Sequence, residues 1–256
     1  MLFSIITVVY NAKMNLMNTI ESVFSQENEH FQYIIIDGGS NDGTVEFLKT
    51  LVDNRREIII RSEPDKGIYD AMNKGVKLAT GQYSYFLNAG DRFANTNVLS
   101  DTEKIIEQTD ADIFYGDAFD WYRDDKVILH KYNKKINKLY FLRGNGICHQ
   151  AVFAKTELLI NMPFLQKYRL AADKDWIMKQ YVHGKKFCYL GYPICYYDRG
   201  GISSNPKQSD RLKKETKDII ISNYRYSGSL FYKCKELKQK FMHLSNTAHS
   251  RFRQSK

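Results

Sequence analysis

Apolar residues fall in two rhythms over the first third of the chain. Residues 3–9 form one continuous run rich in Ile and Val, the composition of a central parallel strand buried on both faces. Tyr10-Asn11-Ala12 breaks the run. Residues 15–26 then carry Leu16, Ile20, Val23 and Phe24 at helical spacing. A second strand over 31–36 releases Asp37-Gly38-Gly39-Ser40-Asn41-Asp42-Gly43-Thr44, and a helix follows through Val45, Phe47, Leu48 and Leu51. The third unit repeats the order. A strand over 57–61 meets an acidic loop, a helix carries Ile68, Met72, Val76 and Ala79 with Gly81 as its stop, and a strand over 83–87 breaks into Asn88-Ala89-Gly90-Asp91. Strands alternating with helices at this spacing predict an α/β fold: a mostly parallel, Rossmann-like sheet with right-handed crossovers, flanked by helices.

In such sheets a ligand sits in the crevice at the carboxyl ends of the strands. Each strand here releases polar residues at that end: Thr7, Tyr10 and Asn11; Asp37; Glu63, Asp65 and Lys66; Asn88 and Asp91. One cluster would be ordinary loop chemistry. Four along one edge predict a site. Asp91, delivered by a buried strand beside a flexible glycine, suits a divalent cation that holds a diphosphate, because hard cations take carboxylate oxygens and leave positions for phosphate. Asp37 serves either as an acceptor for a ribose or base, or as the organiser of an Asx turn. No G-x-G-x-x-G or G-x-x-x-x-G-K-[ST] pattern is present, which disfavours a dinucleotide fold and a P-loop.

Beyond Asp91 the rhythm weakens. A fifth strand is expected over 112–117, hairpin or edge structure over 121–132, and a loop entering another buried strand over 144–153. His149 and Gln150 in that loop either line an acceptor pocket or are satisfied structurally. Asp173 and Asp175 stand at the start of a helix. There they either complement the helix dipole, or one of them acts as a general base toward an acceptor hydroxyl. Two positions apart, they point in different directions. Residues 196–204, with Gly200-Gly201, read as a loop suited to close backbone approach to phosphate or as an ordinary turn.

Composition changes the picture in the last fifth of the chain. With 43% hydrophobic and 14% aromatic residues over 256 positions, one full core plus an appendage is expected, divided as a domain over 1–205 and a basic helical extension over 206–256. The net charge of +9 lies wholly in that extension, where thirteen Lys and Arg face four Asp and Glu. Its second helical stretch sets Phe231, Cys234, Leu237, Phe241 and Leu244 against Lys233, Lys235, Lys238 and Lys240. That pattern fits an anionic membrane surface or packing of the apolar stripe on the body. Nucleic acid is disfavoured, since the body is neutral and no RNA-binding signature appears. No apolar run reaches the length of a membrane span, the N-terminus reads as a strand rather than a signal peptide, and four cysteines without a C-x-x-C pair fit a reducing cytoplasm.

The segments S-I-I-T-V-V-Y-N (4–11), I-D-G-G-S-N-D-G-T (36–44), S-E-P-D-K-G-I-Y-D-A-M-N-K-G (62–75) and L-N-A-G-D (87–91) resemble, in order and spacing, family 2 glycosyltransferases. The resemblance extends over roughly residues 1–205. It implies a GT-A fold, a nucleotide-sugar donor with uridine favoured, Mn²⁺ or Mg²⁺ at the aspartate motif, and inversion by direct displacement. It also implies the branch that builds bacterial surface polysaccharides on lipid-linked or glycan acceptors, here as a peripheral enzyme on the inner face of the cytoplasmic membrane. Thr7, Tyr10 and Asn11 would border the nucleotide. Asp37, Asp65 and Lys66 would lie by the base and ribose, with Asn88 at the aspartate motif. Asp91 would bind the metal, and Asp173 would be the base with Asp175 in reserve. The chain departs from the family at Gly90, where many members carry a second aspartate. Two other classes share parts of this pattern, a sugar-1-phosphate nucleotidyltransferase and a non-enzymatic polyanion-binding protein. The first lacks its Gly-rich basic loop after the first strand.

Overall fold

The computed structural model describes residues 1–52, 58–122, 124–201 and 206–253. Its centre is β1 (Phe3–Val9), every residue of which is buried. Parallel pairing sets β2 (Phe31–Asp37) on one side of β1 and β4 (Tyr83–Phe86) on the other, with β3 (Ile58–Ser62) outside β2. These strands are joined by α1 (Lys13–Phe24), α2 (Thr44–Val52) and α3 (Ile68–Val76). The expected helix over 68–79 closes early. Leu78 and Ala79 leave α3 through tighter bonds to Gly75 and Val76. Gly75 lets α3 lie close on the sheet, since a Cβ there would come within 2.5 Å of Ile6.

Beyond β4 the sheet changes character. Its order is β3-β2-β1-β4-β8 (Val152–Lys155)-β6 (Ile113–Trp121)-β9 (Phe187–Asp198)-β5 (Arg92–Phe93), with β7 (Val127–His130) pairing β6 off this path. Here β8 runs antiparallel to β4 and to β6, and β7 forms the expected hairpin with β6. The parallel rhythm therefore holds for the amino-terminal half, and the remainder is mixed.

Among the elements that the periodicity does not reveal is β9 (Phe187–Asp198), which runs parallel to β6 and antiparallel to the short β5 (Arg92–Phe93). Gly191 and Pro193 interrupt its apolar pattern, and its register against β6 shifts around Gly116. A Cβ at Gly116 would lie 2.4 Å from the Tyr192 carbonyl, so the bulge needs glycine. The outer layer holds α4 (Val98–Gln108), α5 (Lys138–Leu142), α6 (Thr156–Asn161) and α7 (Ala172–Val182).

The last element, α8 (Ser209–Arg253), breaks direction at Arg225. Its first half packs against α7 and α5, and Ile219 and Ile220 are fully buried in the common core. Phe231 and Tyr232 are half-buried, while Lys233 and Cys234 are exposed. The side chains of Leu237, Phe241, Leu244 and the lysines beyond Lys233 lie outside the described residues. No helix of the described residues is long and apolar enough to cross a membrane.

Candidate active site

The carboxyl ends of β1 and β4, the loop before α3, the turn before β8, the start of α7 and the end of β9 enclose one cleft of about 370 Å³. Its walls include Tyr10, Asp65, Asn88, Asp91, His149, Gln150 and Asp173. The family's loops and the segments identified only by their acids thus meet in one space.

Asp173 is the most heavily engaged group. Its Oδ1 accepts from the Tyr69 hydroxyl at 2.9 Å and from its neighbour's amide, Lys174 N, at 2.8 Å. Its Oδ2 accepts from His149 Nδ1 at 2.9 Å. Burial alone would raise the Asp173 carboxyl and lower the His149 imidazole. Burial is the largest single effect on each, but the hydrogen bond and charge attraction between them, with the further donors and charges around them, together outweigh it, so Asp173 is held below the usual carboxylate range and His149 above the usual imidazole value. Asn88 Nδ2 lies 2.7 Å from His149 Nε2. In this orientation the amide donates to the ring nitrogen and leaves Asn88 Oδ1 free. Asn88, His149 and Asp173 therefore form one relay along the cleft wall.

Asp91 lies beside this relay and is 3% exposed. Gln150 Nε2 donates to its Oδ2 and the Asp198 amide to its Oδ1, each at 2.9 Å. Burial, opposed by those two bonds, pushes its carboxyl up to about 6. Asp198 supplies a second acid where the sequence has none. A Cβ at Gly90 would lie 3.0 Å from Asp198 Oδ2, so β9 fills the space that an aspartate at position 90 would use. Asn88 Oδ1 and Gln150 Oε1 are buried without a hydrogen-bond partner among the described residues. Among those residues no group of three or more His, Cys, Asp or Glu forms a metal cluster. The donor set is nonetheless all oxygen: two carboxylates and two unpaired amide oxygens. It fits a hard divalent cation whose remaining positions come from phosphate.

The raised Asp91 value gives a stability test. The native state holds this proton above pH 4 while the unfolded chain releases it, so stability falls as pH rises from about 4 to about 6. Asp91→Asn is expected to raise the melting temperature of cation-free protein at pH 7 and not at pH 4. The gain is at most on the order of 3 kcal/mol, reduced because an amide offers one acceptor oxygen instead of two. Melting curves across that range check it, and parallel curves for both proteins would show that the buried charge has no cost.

The remaining sequence-derived residues are placed unevenly. Tyr10, 62% exposed, and Asp65 flank Gly38, where a Cβ would meet the Asp65 carboxylate. Asp65 Oδ1 in turn accepts from the Gly67 amide at 2.7 Å. The Lys66 side chain is exposed, and its amide donates to Asp70. Thr7 lies beneath the floor, fully buried, donating to the Leu87 carbonyl at 2.7 Å. Asn11 ties two loops through Ser40 and Asn41 rather than lining the cleft. Asp37 Oδ2 accepts from Gly39, Ser40 and Ser62, which is the turn-organising arrangement, while its buried Oδ1 has no partner among the described residues.

Asp175 points away from the cleft. Lys179 Nζ donates to it at 2.6 Å and Asn223 Nδ2 of α8 at 2.9 Å. One helical turn cannot aim both acids at one place, and α8 claims this one. Tyr69, Arg169, Leu170 and Asp198 also line the cleft and were not singled out from sequence. Tyr69 and Asp198 stand inside the segments 62–75 and 196–204, and Arg169 and Leu170 just ahead of Asp173, but none can be assigned without knowing how β9 and α7 lie against β4.

Comparison with known proteins decides the family. The sequence profile of glycosyl transferase family 2 matches residues 4–158. The chain belongs to this family. It is 31% identical over 224 residues to the PGL/p-HBAD biosynthesis glycosyltransferase of Mycobacterium tuberculosis, covering 83% of each chain. It is 29% identical over 246 residues to an uncharacterized glycosyltransferase of Haemophilus influenzae, covering 91% of this chain and 98% of that protein. Among solved structures, S. aureus TarS 1–349 in complex with UDP aligns with a TM-score of 0.67 at 17% identity, over 86% of this chain and 66% of that one. The mannosyltransferase PcManGT from Pyrobaculum calidifontis, in complex with GDP-Man and Mn²⁺, aligns with a TM-score of 0.64 at 14% identity, over 88% and 63%. The chain thus spans about two thirds of those solved chains, and the likeness establishes a GT-A fold. As a family 2 glycosyltransferase the protein is neither of the two other classes that shared parts of its sequence pattern.

Proposed function

We propose that the protein transfers a hexosyl or N-acetylhexosaminyl group from a nucleotide-sugar, with uridine as the favoured base, to a hydroxyl of a lipid-linked or glycan acceptor in bacterial surface polysaccharide synthesis. The observation that carries this reading is the single cleft that brings Asp91 at the end of β4 together with Asp173 at the start of α7. Uridine draws support from the TarS complexes with UDP and UDP-GlcNAc. The complex of PcManGT with GDP-Man keeps guanosine as the second candidate.

Tyr10, Gly38 and Asp65 form the shelf for base and ribose. Asp91 and Asp198, with the unpaired oxygens of Asn88 and Gln150, would hold Mn²⁺ or Mg²⁺. Such a cation neutralises charge that builds on a leaving diphosphate. Asp173 receives the acceptor proton as the acceptor oxygen bonds to the anomeric carbon and the bond to the diphosphate oxygen breaks. The attack comes from the face opposite the leaving group, so configuration inverts. Tyr69 and His149 hold the carboxylate in place, and the His149–Asn88 contact links the base to the aspartate motif. The basic final stretch of α8 would keep the enzyme at the cytoplasmic membrane face, at about 1 kcal/mol per Lys or Arg near an anionic surface.

The test is release of nucleoside diphosphate from a panel of UDP- and GDP-sugars with Mn²⁺, wild type beside Asp91→Ala. Slow hydrolysis of one donor is expected, lost with EDTA and in the variant. If calorimetry detects no binding of any of these donors, the reading fails.

A further inference from the structure

We propose that Glu215 of α8 is a positioning residue for the wall of the cleft that carries Asp173, so that the first half of α8 belongs to the transferase site. This rests on the transferase reading above. The segment ahead of α7 is poorly equipped to hold itself. Its N-cap is Ala171, which has no side chain to accept a helix-end amide. The two amides just ahead of that cap are held by another element. Glu215 Oε1 accepts from the Arg169 amide at 3.0 Å, and Oε2 from the Leu170 amide at 2.9 Å. The carboxylate is 8% exposed, and Arg211 Nε stands 3.4 Å from Oε1. Two consecutive amides on the two oxygens of one buried carboxyl group form a directional anchor.

What the anchor holds is functional surface. Arg169 and Leu170 both line the cleft, and Asp173 follows three residues later. The Arg169 guanidinium donates to the Lys66 carbonyl on the opposite rim. A chain of contacts thus runs from α8 through Glu215 and Arg169 to the loop that carries Asp65. On either side α8 repeats the attachment, with Asp218 accepting from the Tyr168 hydroxyl at 2.6 Å and Asn223 donating to Asp175 at 2.9 Å. The family profile ends at residue 158, so this buttress comes from the part of the chain outside it. The donor side on β1 and β4 makes no direct hydrogen bond to Glu215, and the Asp65 loop reached through Arg169 keeps its own closure, the Gly67 amide on Asp65 Oδ1 at 2.7 Å. The anchor therefore acts on turnover more than on donor binding.

The experiment uses the full chain with Glu215→Ala and Glu215→Gln, the latter keeping one acceptor oxygen. Amide hydrogen exchange is followed by mass spectrometry, and kcat and donor KM are measured with the sugar nucleotide the panel identifies. For Glu215→Ala, exchange over residues 166–172 is expected to rise about tenfold or more while peptides from β1 and β2 keep their protection. Its kcat is expected to fall about tenfold or more with donor KM within about twofold, and Glu215→Gln to lie between. Unchanged exchange over 166–172 would overturn the anchor. Faster local exchange with wild-type kcat would overturn its functional role. Loss of protection throughout the sheet in both variants would show a purely structural residue and overturn the proposal. A wild type that neither binds nor turns over any donor would instead defeat the transferase reading, and local exchange would then decide the anchor alone.

Discussion

Asp173→Asn is expected to lower sugar transfer by about 10²- to 10⁴-fold, the contribution of a positioned general base, while nucleotide binding stays within about twofold. The physical reason is the crowded shell of this carboxylate. Tyr69 Oη, His149 Nδ1 and the Lys174 amide all donate to it. An asparagine keeps the size but presents an NH₂ group to donors on one side, so both the proton acceptor and the shell are lost. The pH profile offers a second readout. Asp173 is held below the usual carboxylate range, chiefly against burial, by His149, so its acid limb should lie below that of an ordinary carboxylate.

The same pair has a stability signature. Asp173 contributes above its unfolded value and loses that contribution as pH falls through its depressed folded value. His149 contributes below its unfolded value and loses it as pH rises through its raised folded value. The pair is therefore fully formed from roughly pH 4 to 6.5. Turnover of the Asn variant within about threefold of wild type would remove Asp173 from the role of base.

Truncation after Pro206 is expected to abolish cooperative folding rather than merely release the protein from membranes. Ile219 and Ile220 are fully buried, and each contributes about 1.5–3 kcal/mol by burial. The cut also strips Asn223 from the buried carboxylate of Asp175 and Glu215 from two amides. Leaving the two amides without their acceptor costs about 1–3 kcal/mol each, while Asp175 keeps only Lys179. Together these losses approach the 5–15 kcal/mol that holds a typical domain. Removal after Tyr232 is the informative cut, because it keeps the packed half of α8 and deletes the basic stretch that begins at Lys233. That protein should melt close to wild type and lose binding to anionic liposomes. A soluble, cooperatively melting 1–206 chain would contradict the packing argument. Retained liposome binding by the 1–232 chain would contradict the membrane reading of the tail.

The amino-terminal half was legible because its information is local. A strand buried on both faces must be apolar throughout, as β1 is, and a polar cluster after such a strand lands on one sheet edge whatever the loop details. Asp91 and Asp65 reached the cleft on that logic alone. Asp173 rested on resemblance, and its partners were hidden because His149 lies 24 positions away and Tyr69 lies 104 away. Asp175 shows the limit from the other side. The same helix start that presents Asp173 to the cleft turns Asp175 toward Asn223, and only the position of α8 reveals it.

By itself the sequence determined the parallel α/β core, the order of the strand-end loops and the candidate acids within them. These follow from hydrophobic period and turn chemistry, which each segment carries without reference to the others. The tertiary structure decided what depends on register between distant strands. It brought Asp198 from β9 into the space beside Gly90, joined His149 to Asp173, and set Glu215 of α8 against the segment of the cleft wall ahead of Asp173. A bulge at Gly116 and two amides ahead of α7 held by Glu215 have no readable period, so their meaning exists only once the chain has packed.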